Sequence, residues 1–301
     1  MTTDALSNVL QLVEARSVIS TGLRATGKWS VRVDSHTGLK FNAVLEGECL
    51  LDVDGLGSIW LETGDCFLLT QGRSFIVSSG PDVKPEAARD VFAGAVNHFA
   101  HMDRGIDGEF RSIGGRMETG SDADFLLASL PPLIVIKAGS EEARSITWLL
   151  DRLLKEIADG KPGSSVMVSQ IMHMIFVELI RACPVPGGDE SSWLAALSDP
   201  RIGKSLELIH GDPGRNWRLD ELANACNLSR SQFSARFVAL VGLAPIDYLL
   251  RWRMEVAKHA LRKPGTKIAR IANDLGYNSE AAFGAAFKRV HGTSPRRSAS
   301  L

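Results

Sequence analysis

Along the 301-residue chain the spacing of hydrophobic and polar positions changes character twice. Residues 29–80 run on a short period. Phe41 to Leu45, Cys49 to Val53, Ser58 to Leu61, Cys66 to Leu69 and Ser74 to Val77 read as strands, separated by Glu46-Gly47, Asp54-Gly55, Gly64-Asp65 and Gly72. Strands recurring every ~8–12 residues between turn signals predict an all-β sandwich or barrel. Residues 81–130 are weakly patterned and predict only further β segments before a Pro131-Pro132 break. From Glu141 the period lengthens to that of a helix, with Ile146, Leu149, Leu150, Leu153, Leu154 and Ile157 on one apolar stripe. Gly160-Lys161-Pro162-Gly163 turns the chain, and a more uniformly apolar helix is expected from about Ser165 to Arg181. Such a hairpin must cover the barrel, a second subunit or both. Leu149, Leu153 and Ile157 are the positions expected to face a partner chain. Cys183-Pro184-Val185-Pro186-Gly187-Gly188-Asp189-Glu190 then reads as a linker, and the last periodic region begins near Pro200.

That last region uses one unit twice. Leu222-Ala223, Phe233, Phe237, Gly242 and Pro245 align with Ile271-Ala272, Phe283, Phe287, Gly292 and Pro295. Phe to Phe is 4 residues in both copies, Phe to Gly 5 and Gly to Pro 3, while Ala to the first Phe is 10 in one and 11 in the other. Each copy predicts a short helix (220–225; 267–275), a tight turn, and a helix whose two Phe residues share a face. Asn227 and Gly276 suit the left-handed conformation of the turn. Ser229 and Ser279 suit the N-cap, and Ser229 with Gln232 forms a capping box. This is a helix-turn-helix arrangement, in which the first helix braces the second and the second enters the major groove. Between the copies, Pro245 and Lys263-Pro264-Gly265 bound a helix of about 17 residues, or roughly 25 Å. Recognition helices so spaced could sit about one DNA turn, ~34 Å, apart.

Charge strengthens this picture. The net charge is −1, yet residues 201–301 hold 17 Lys+Arg against 8 Asp+Glu, leaving 17 against 27 for residues 1–200. A basic third on an acidic body suits a module that neutralises phosphates. Four cysteines without a CxxC pair suggest neither a disulfide framework nor a structural zinc, and a reducing cytoplasm is expected. The first twenty residues lack an export signal's basic-then-apolar order. Val166 to Leu179, interrupted by Ser169, Gln170, His173 and Glu178, falls short of the ~20 apolar residues of a bilayer span, so no membrane association is expected.

The pattern Ser229-Arg230-Ser231-Gln232-Phe233, Arg236-Phe237, Gly242, Pro245, Tyr248 and Arg251, then Ile268, Ile271-Ala272, Gly276-Tyr277, Ser279-Glu280-Ala281-Ala282-Phe283, Phe287-Lys288-Arg289, Gly292 and Ser294-Pro295, resembles the C-terminal domain of AraC/XylS-family transcription regulators. Val44-Leu45-Glu46-Gly47-Glu48-Cys49, Leu61-Glu62-Thr63-Gly64-Asp65 and Leu130-Pro131-Pro132 resemble the cupin-like sensor domains fused to one subgroup of them. The resemblance implies a one-component cytoplasmic regulator, often dimeric, whose N-terminal domain receives a signal. The expected organisation is a cupin-like β-barrel over residues 1–139, a helical hairpin over 140–183 for dimerisation, a linker over 184–199 and an all-α domain with two helix-turn-helix units over 200–301. Expected partners are double-stranded promoter DNA and a second copy of the chain, with RNA polymerase a further candidate and the effector unidentified. No cofactor and no catalysis are expected.

With Phe233, Phe237 and Leu240 facing the core, the first recognition helix leaves Arg230, Ser231, Ser234 and Ala235 for the groove. Arg230 is the candidate base reader, because a guanidinium can bond guanine bidentately. The bland alternative is a solvated or phosphate-bound arginine. Arg236 either takes a phosphate or packs at the edge. In the second helix Glu280, Ala281, Gly284 and Ala285 face the groove, where similar regulators usually place a polar residue and an arginine at the last two positions. Glu280 could accept from a cytosine amine, and the small residues could touch thymine methyls. The favoured reading is that this half holds only the backbone, through Lys288, Arg289, Arg296 and Arg297. The rival function is a cupin-type metalloenzyme or small-molecule-binding barrel with an accessory DNA-binding domain. Asn42 and Phe75 stand where its histidine ligands would be sought, and His36 lies beside the Gly38 turn. His98 and His101, with Asp103, have a spacing usable by a metal but read better as solvated surface. Cys49 and Cys66, on strands that could be neighbours, admit a thiol switch, with buried inert cysteine the commoner case. Trp29, Trp60 and Trp148 read as core rather than as pocket lining.

Overall fold

The computed structural model describes residues 4–12, 16–96, 98–118, 130–183, 193–263 and 265–299. The expected linker therefore lies outside the described residues up to residue 192. Two compact units are present, one of residues 15–119 with 131–184, the other of residues 1–14, 120–130 and 185–301. The helix α1 (Ala5–Leu12) is thus grouped with the helical unit, although its sequence position alone suggested the barrel.

The first unit is rich in sheet. Its strands are β1 (Arg16–Gly27), β2 (Ser30–Val33), β3 (Leu39–Glu46), β4 (Glu48–Val53), β5 (Gly57–Glu62), β6 (Cys66–Leu69), β7 (Phe75–Ser78) and β8 (Glu86–Ala87). The short helix α2 (Ala88–Phe92) follows, then β9 (Phe99–Arg104), β10 (Phe110–Glu118) and β11 (Leu133–Ile136). They form a six-stranded sheet in the order β11-β6-β3-β10-β1-β9 and a five-stranded sheet in the order β5-β4-β7-β2-β8. The five strands read from the sequence are β3 to β7. Alternation decides which side chains enter the core: Cys49, Leu51 and Val53 of β4 point inward, to meet Trp29, Val31, Phe67, Phe75 and Phe110. On β3 the opposite set, Leu39, Phe41 and Ala43, is buried on the outer face of the six-stranded sheet.

That outer face is covered by the expected hairpin, α3 (Glu141–Asp159) and α4 (Ser164–Arg181). Ser140 caps α3 by accepting from the Ala143 N–H, and Gly160 ends it at φ 54°. Phe176 meets Phe41 edge-on at 6.1 Å between ring centres. The Met172 tip lies directly over Gly115 of β10, where a Cβ would come 2.0 Å from Met172 Cε and force that side chain to shift. The expectation that Leu149 and Leu153 face a partner chain is incorrect. Both are buried within this unit, and Ile157 is half-buried, since the apolar stripe is used up in intramolecular packing. What the hairpin leaves exposed is Trp148, Val166, Met167 and Met174. Of the three tryptophans read as core only Trp29 is; Trp60 and Trp148 are 48% and 66% exposed.

The second unit is helical: α1, α5 (Trp193–Ser198), α6 (Ile202–Gly211), α7 (Leu219–Ala225), α8 (Arg230–Val241), α9 (Pro245–Leu261), α10 (Ile268–Asp274), α11 (Glu280–His291) and α12 (Pro295–Ser298). The 17-residue α9 serves two cores. Its Tyr248, Leu249 and Trp252 are buried beside the first helix-turn-helix copy, while Met254, Ala257 and Leu261 pack with Ile271, Ala272, Leu275, Phe283 and Phe287 of the second. The first core contains a buried polar relay. Trp193 Nε1 donates to the Tyr248 hydroxyl at 2.8 Å, and that hydroxyl lies 2.7 Å from His210 Nε2. The His210 ring stacks on Trp252 at 3.8 Å. Burial holds His210 down to about 3, so its ring is neutral and Nε2 accepts the Tyr248 proton. No single helix among the described residues is long and apolar enough to cross a membrane.

Candidate nucleic-acid interface

The two copies in the sequence are two copies in space. Asn227 and Gly276 adopt φ 53° and 77° at equivalent turns. Past each turn, the Leu228 N–H donates to the Ala223 carbonyl at 3.0 Å and the Tyr277 N–H to that of Ala272 at 2.9 Å. Ser229 and Ser279 cap α8 and α11 by accepting from the N–H of Gln232 and Ala282. Gly242 and Gly292 end those helices with positive φ, and Pro245 and Pro295 open the next. The Phe233–Phe237 and Phe283–Phe287 ring pairs, 5.6 and 5.8 Å apart, are fully buried. Burying them fixes which face of each helix remains outside.

On α8 that face carries Arg230, Ser231 and Ala235, exposed, with Ser234 half-buried beside them. Leu240, read as core, is half-buried. Arg230 makes one weak contact, Nε to Asp220 Oδ1 at 3.7 Å, with both side chains about two-thirds exposed. Arg236 is already engaged, its guanidinium bonding the nearly buried Asp199 carboxylate, one contact being 2.9 Å from Nε. Burial pushes the Asp199 carboxyl up, but the Arg236 pair together with the Ile202 and Arg201 N–H groups holds it below the usual carboxylate range. On α11, Glu280, Ala281 and Ala285 are exposed and Gly284 half-buried; no atom lies within 4 Å of a Cβ built on Gly284. Lys288 and Arg289, in the last turn, are exposed. Sequence reasoning missed Asp199, Asp220 and Arg253. Arg253 projects from α9 to donate to the Pro213 and Arg215 carbonyls at 2.6 and 2.8 Å, and lies 5.8 Å over the Tyr277 ring. Its only sequence signal was a basic residue near the middle of the spacer helix.

Two family models match the chain: a cupin over residues 4–184 and a helix-turn-helix domain over residues 222–299. An AraC-like transcription regulator of Streptomyces lividans is 39% identical over 300 residues, covering 97% of this chain and 96% of that one. The chain belongs to the AraC-like transcription regulators. The regulator is also 29% identical to the HTH-type transcriptional regulator AlkR of Acinetobacter baylyi, over 97% of its own length and 98% of that protein's. Among solved structures it is similar to ToxT of Vibrio cholerae with a bound unsaturated fatty acid, at 14% identity and a TM-score of 0.37, with 94% and 95% of the two chains covered. The regulator thus joins a helix-turn-helix DNA-binding domain to a cupin-like N-terminal domain.

Within the cupin-like domain, Asn42 and Phe75 both line a cavity of about 150 Å³. Among the described residues no three His, Cys, Asp or Glu side chains are grouped to hold a metal. His98 and His101 are exposed, as read, with His98 at φ 67°. Cys49 and Cys66 are not strand neighbours, since β4 and β6 belong to different sheets. All four cysteines are buried and none is in a disulfide, and burial with the nearby Asp65 charge pushes the Cys49 and Cys66 thiols up to about 12, which leaves those two unreactive.

Proposed function

We propose that this chain is a sequence-specific regulator working on promoter DNA in the cytoplasm, with no catalysis of its own, in which α8 reads bases and α11 holds the backbone. The observation that carries the division is chemical. Opposite its buried phenylalanines α8 presents Arg230, Ser231, Ser234 and Ala235, whereas α11 presents Ala281, Gly284 and Ala285 with Glu280 as its one hydrogen-bonding side chain, an acceptor only. Hydrogen-bonding side chains discriminate base edges; small apolar ones add contact without donors. Arg236, committed to Asp199, positions α8 rather than binding phosphate, while Lys288 and Arg289 are free to take phosphates.

The reading includes a homodimer and a signal received by the sheet unit. Trp148 and Met174, exposed and lining one depression on the hairpin, support the dimer, with Val166 and Met167 also exposed there, because exposed apolar patches mark interaction surfaces. The test is binding of the full chain to its own promoter and to random duplexes over a range of salt. Tight, salt-sensitive preference for one promoter segment is expected. Equal affinity for every duplex, or none, refutes it.

A further inference from the structure

The hairpin covers only part of the outer face of the six-stranded sheet. Beyond it lies a groove of about 970 Å³, lined by Arg24, His98, Phe99, His101 and Arg111 and, from the last turns of α3, by Leu154 and Ile157. That volume is in the range of small-ligand sites.

The strand register sets the basic side chains in a row. Arg24 of β1 stands directly opposite Arg111 of β10, and its parallel neighbour on β9 is His101. Inward positions flank them, since Leu23, Ala25, Ala100 and Phe110 belong to the core between the sheets. Like charges directly opposite each other on adjacent strands destabilise a sheet. Little offsets this within the chain. Arg24 lies 5.1 Å over the Phe99 ring and has no carboxylate against it among the described residues, while Arg111 Nε reaches Glu46 only at 3.8 Å. Arg111 Nε is also a buried donor without a hydrogen-bond partner. A buried unsatisfied guanidinium donor is costly to leave in a fold.

Two backbone features aim the groove. His98 takes a left-handed φ of 67°, uncommon for a residue with a side chain, and its carbonyl accepts from the Gly22 N–H at 2.7 Å. Gly22 lies in the register shift of β1 between Ser20 and Leu23. Irregularities of this kind re-aim side chains beside sites. The facing wall is the end of the apolar stripe of α3, where Leu154 and Ile157 remain half-buried. Cations on one wall and apolar side chains on the other complement a molecule that carries both characters.

We propose that this groove binds an organic carboxylate with an apolar body, the carboxylate held by the Arg24 and Arg111 guanidinium groups and the body lying against Phe99, Leu154 and Ile157. The assignment deepens the reading of the sheet unit as the part that receives a signal. Binding is measured without DNA, so it can fail while promoter binding succeeds, and the reverse. Calorimetric titration of the full chain would compare 2-naphthoate with 2-naphthamide, which keeps the body and removes the charge, and with acetate, which keeps the charge and removes the body. Both comparators should bind weaker than 2-naphthoate by about tenfold or more. Arg24→Gln and Arg111→Gln should each weaken 2-naphthoate by about tenfold, leaving 2-naphthamide binding unchanged and the melting temperature the same or higher, since each relieves the like-charge pair; Arg24→Lys should retain part of the affinity. Leu154→Ser should weaken both naphthyl compounds alike. The proposal is overturned by equal binding of the acid and the amide, by 2-naphthoate affinity that survives both Gln variants, or by no binding of 2-naphthoate at all.

Discussion

Removing the Arg230 side chain should separate base reading from backbone holding. Arg230 is the first residue of α8, and its contact with Asp220 is 3.7 Å long between side chains about two-thirds exposed. A surface pair of that kind contributes less than about 1 kcal/mol. A bidentate contact to guanine is worth about 1–3 kcal/mol of discrimination, so releasing Asp220 costs less than the base contact returns. Arg230→Ala should therefore weaken the cognate promoter by roughly 5- to 150-fold and random DNA far less. Asp220→Asn, which removes the competing carboxylate, should strengthen binding a little. Replacing Lys288 and Arg289 with Ala should instead weaken cognate and random duplexes alike and flatten the salt slope by about 0.9 for each lost phosphate contact. Fluorescence anisotropy of the full chain on labelled duplexes over a salt series supplies all of these numbers. Single-base operator variants complete the test. If bases under α11 prove as demanding as those under α8, or if Arg230→Ala weakens both DNAs equally, the division of labour is wrong.

Other consequences concern stability, assembly and metal content. Gly284→Ala should stabilise the second helix-turn-helix copy by about 0.5–1 kcal/mol in urea melts, because the position is mid-helix and open to a methyl; the same change weakening DNA binding would show that the backbone approaches the duplex there. His210 has a folded pKa of about 3 against an ordinary 6.5, so the stability it contributes is present above pH ~6.5 and is lost as the pH falls towards 3. Between pH 7 and 5 this costs about 2 kcal/mol, and His210→Phe should lose less than the wild type by that margin; equal losses would refute it. Trp148→Glu with Met174→Glu should give folded monomers in light scattering, and a wild type that is already monomeric at micromolar concentration removes the dimer. Elemental analysis should find no stoichiometric transition metal, and one iron, zinc or manganese per chain would revive the enzyme reading.

The strands β3 to β7 were legible because each is a short apolar run between turn residues, with glycines at positive φ at Gly47, Gly55 and Gly64; β3 and β4 also alternate, whereas β6 is buried throughout. The strands β1 and β10 were not. In β1 the register shift between Ser20 and Leu23 breaks the alternation. In β10, Gly114-Gly115 resembles a turn but lies mid-strand, where a Cβ on Gly114 would sit 2.6 Å from the Phe41 carbonyl oxygen and one on Gly115 would strike Met172. Those glycines answer to partners 73 residues away in one case and 57 in the other, and no local window contains them. The apolar stripe of α3 was read correctly as a stripe and wrongly as an interface, because periodicity reports that a face is buried and not against what.

The helix-turn-helix copies were legible for the opposite reason: every element that makes them is local. A left-handed turn residue, a serine cap, two phenylalanines one helical turn apart, a C-terminal glycine and a following proline each act within a few residues, and all five recur. Agreement among independent local signals is what specifies a fold. Binding chemistry is not local in that sense. Arg236 and Arg230 look equivalent in the sequence, six residues apart on one helix. Only the fold brings Asp199, 37 residues upstream, against Arg236 and leaves Arg230 with a single long contact. An arginine already bonded to a nearly buried carboxylate must break that pair to meet DNA, and breaking it strips Asp199 Oδ2 of its charged partner, leaving only the Arg201 and Ile202 N–H bonds at Oδ1. Arg230 carries no such penalty, so of the two it is the one we propose for the base contact.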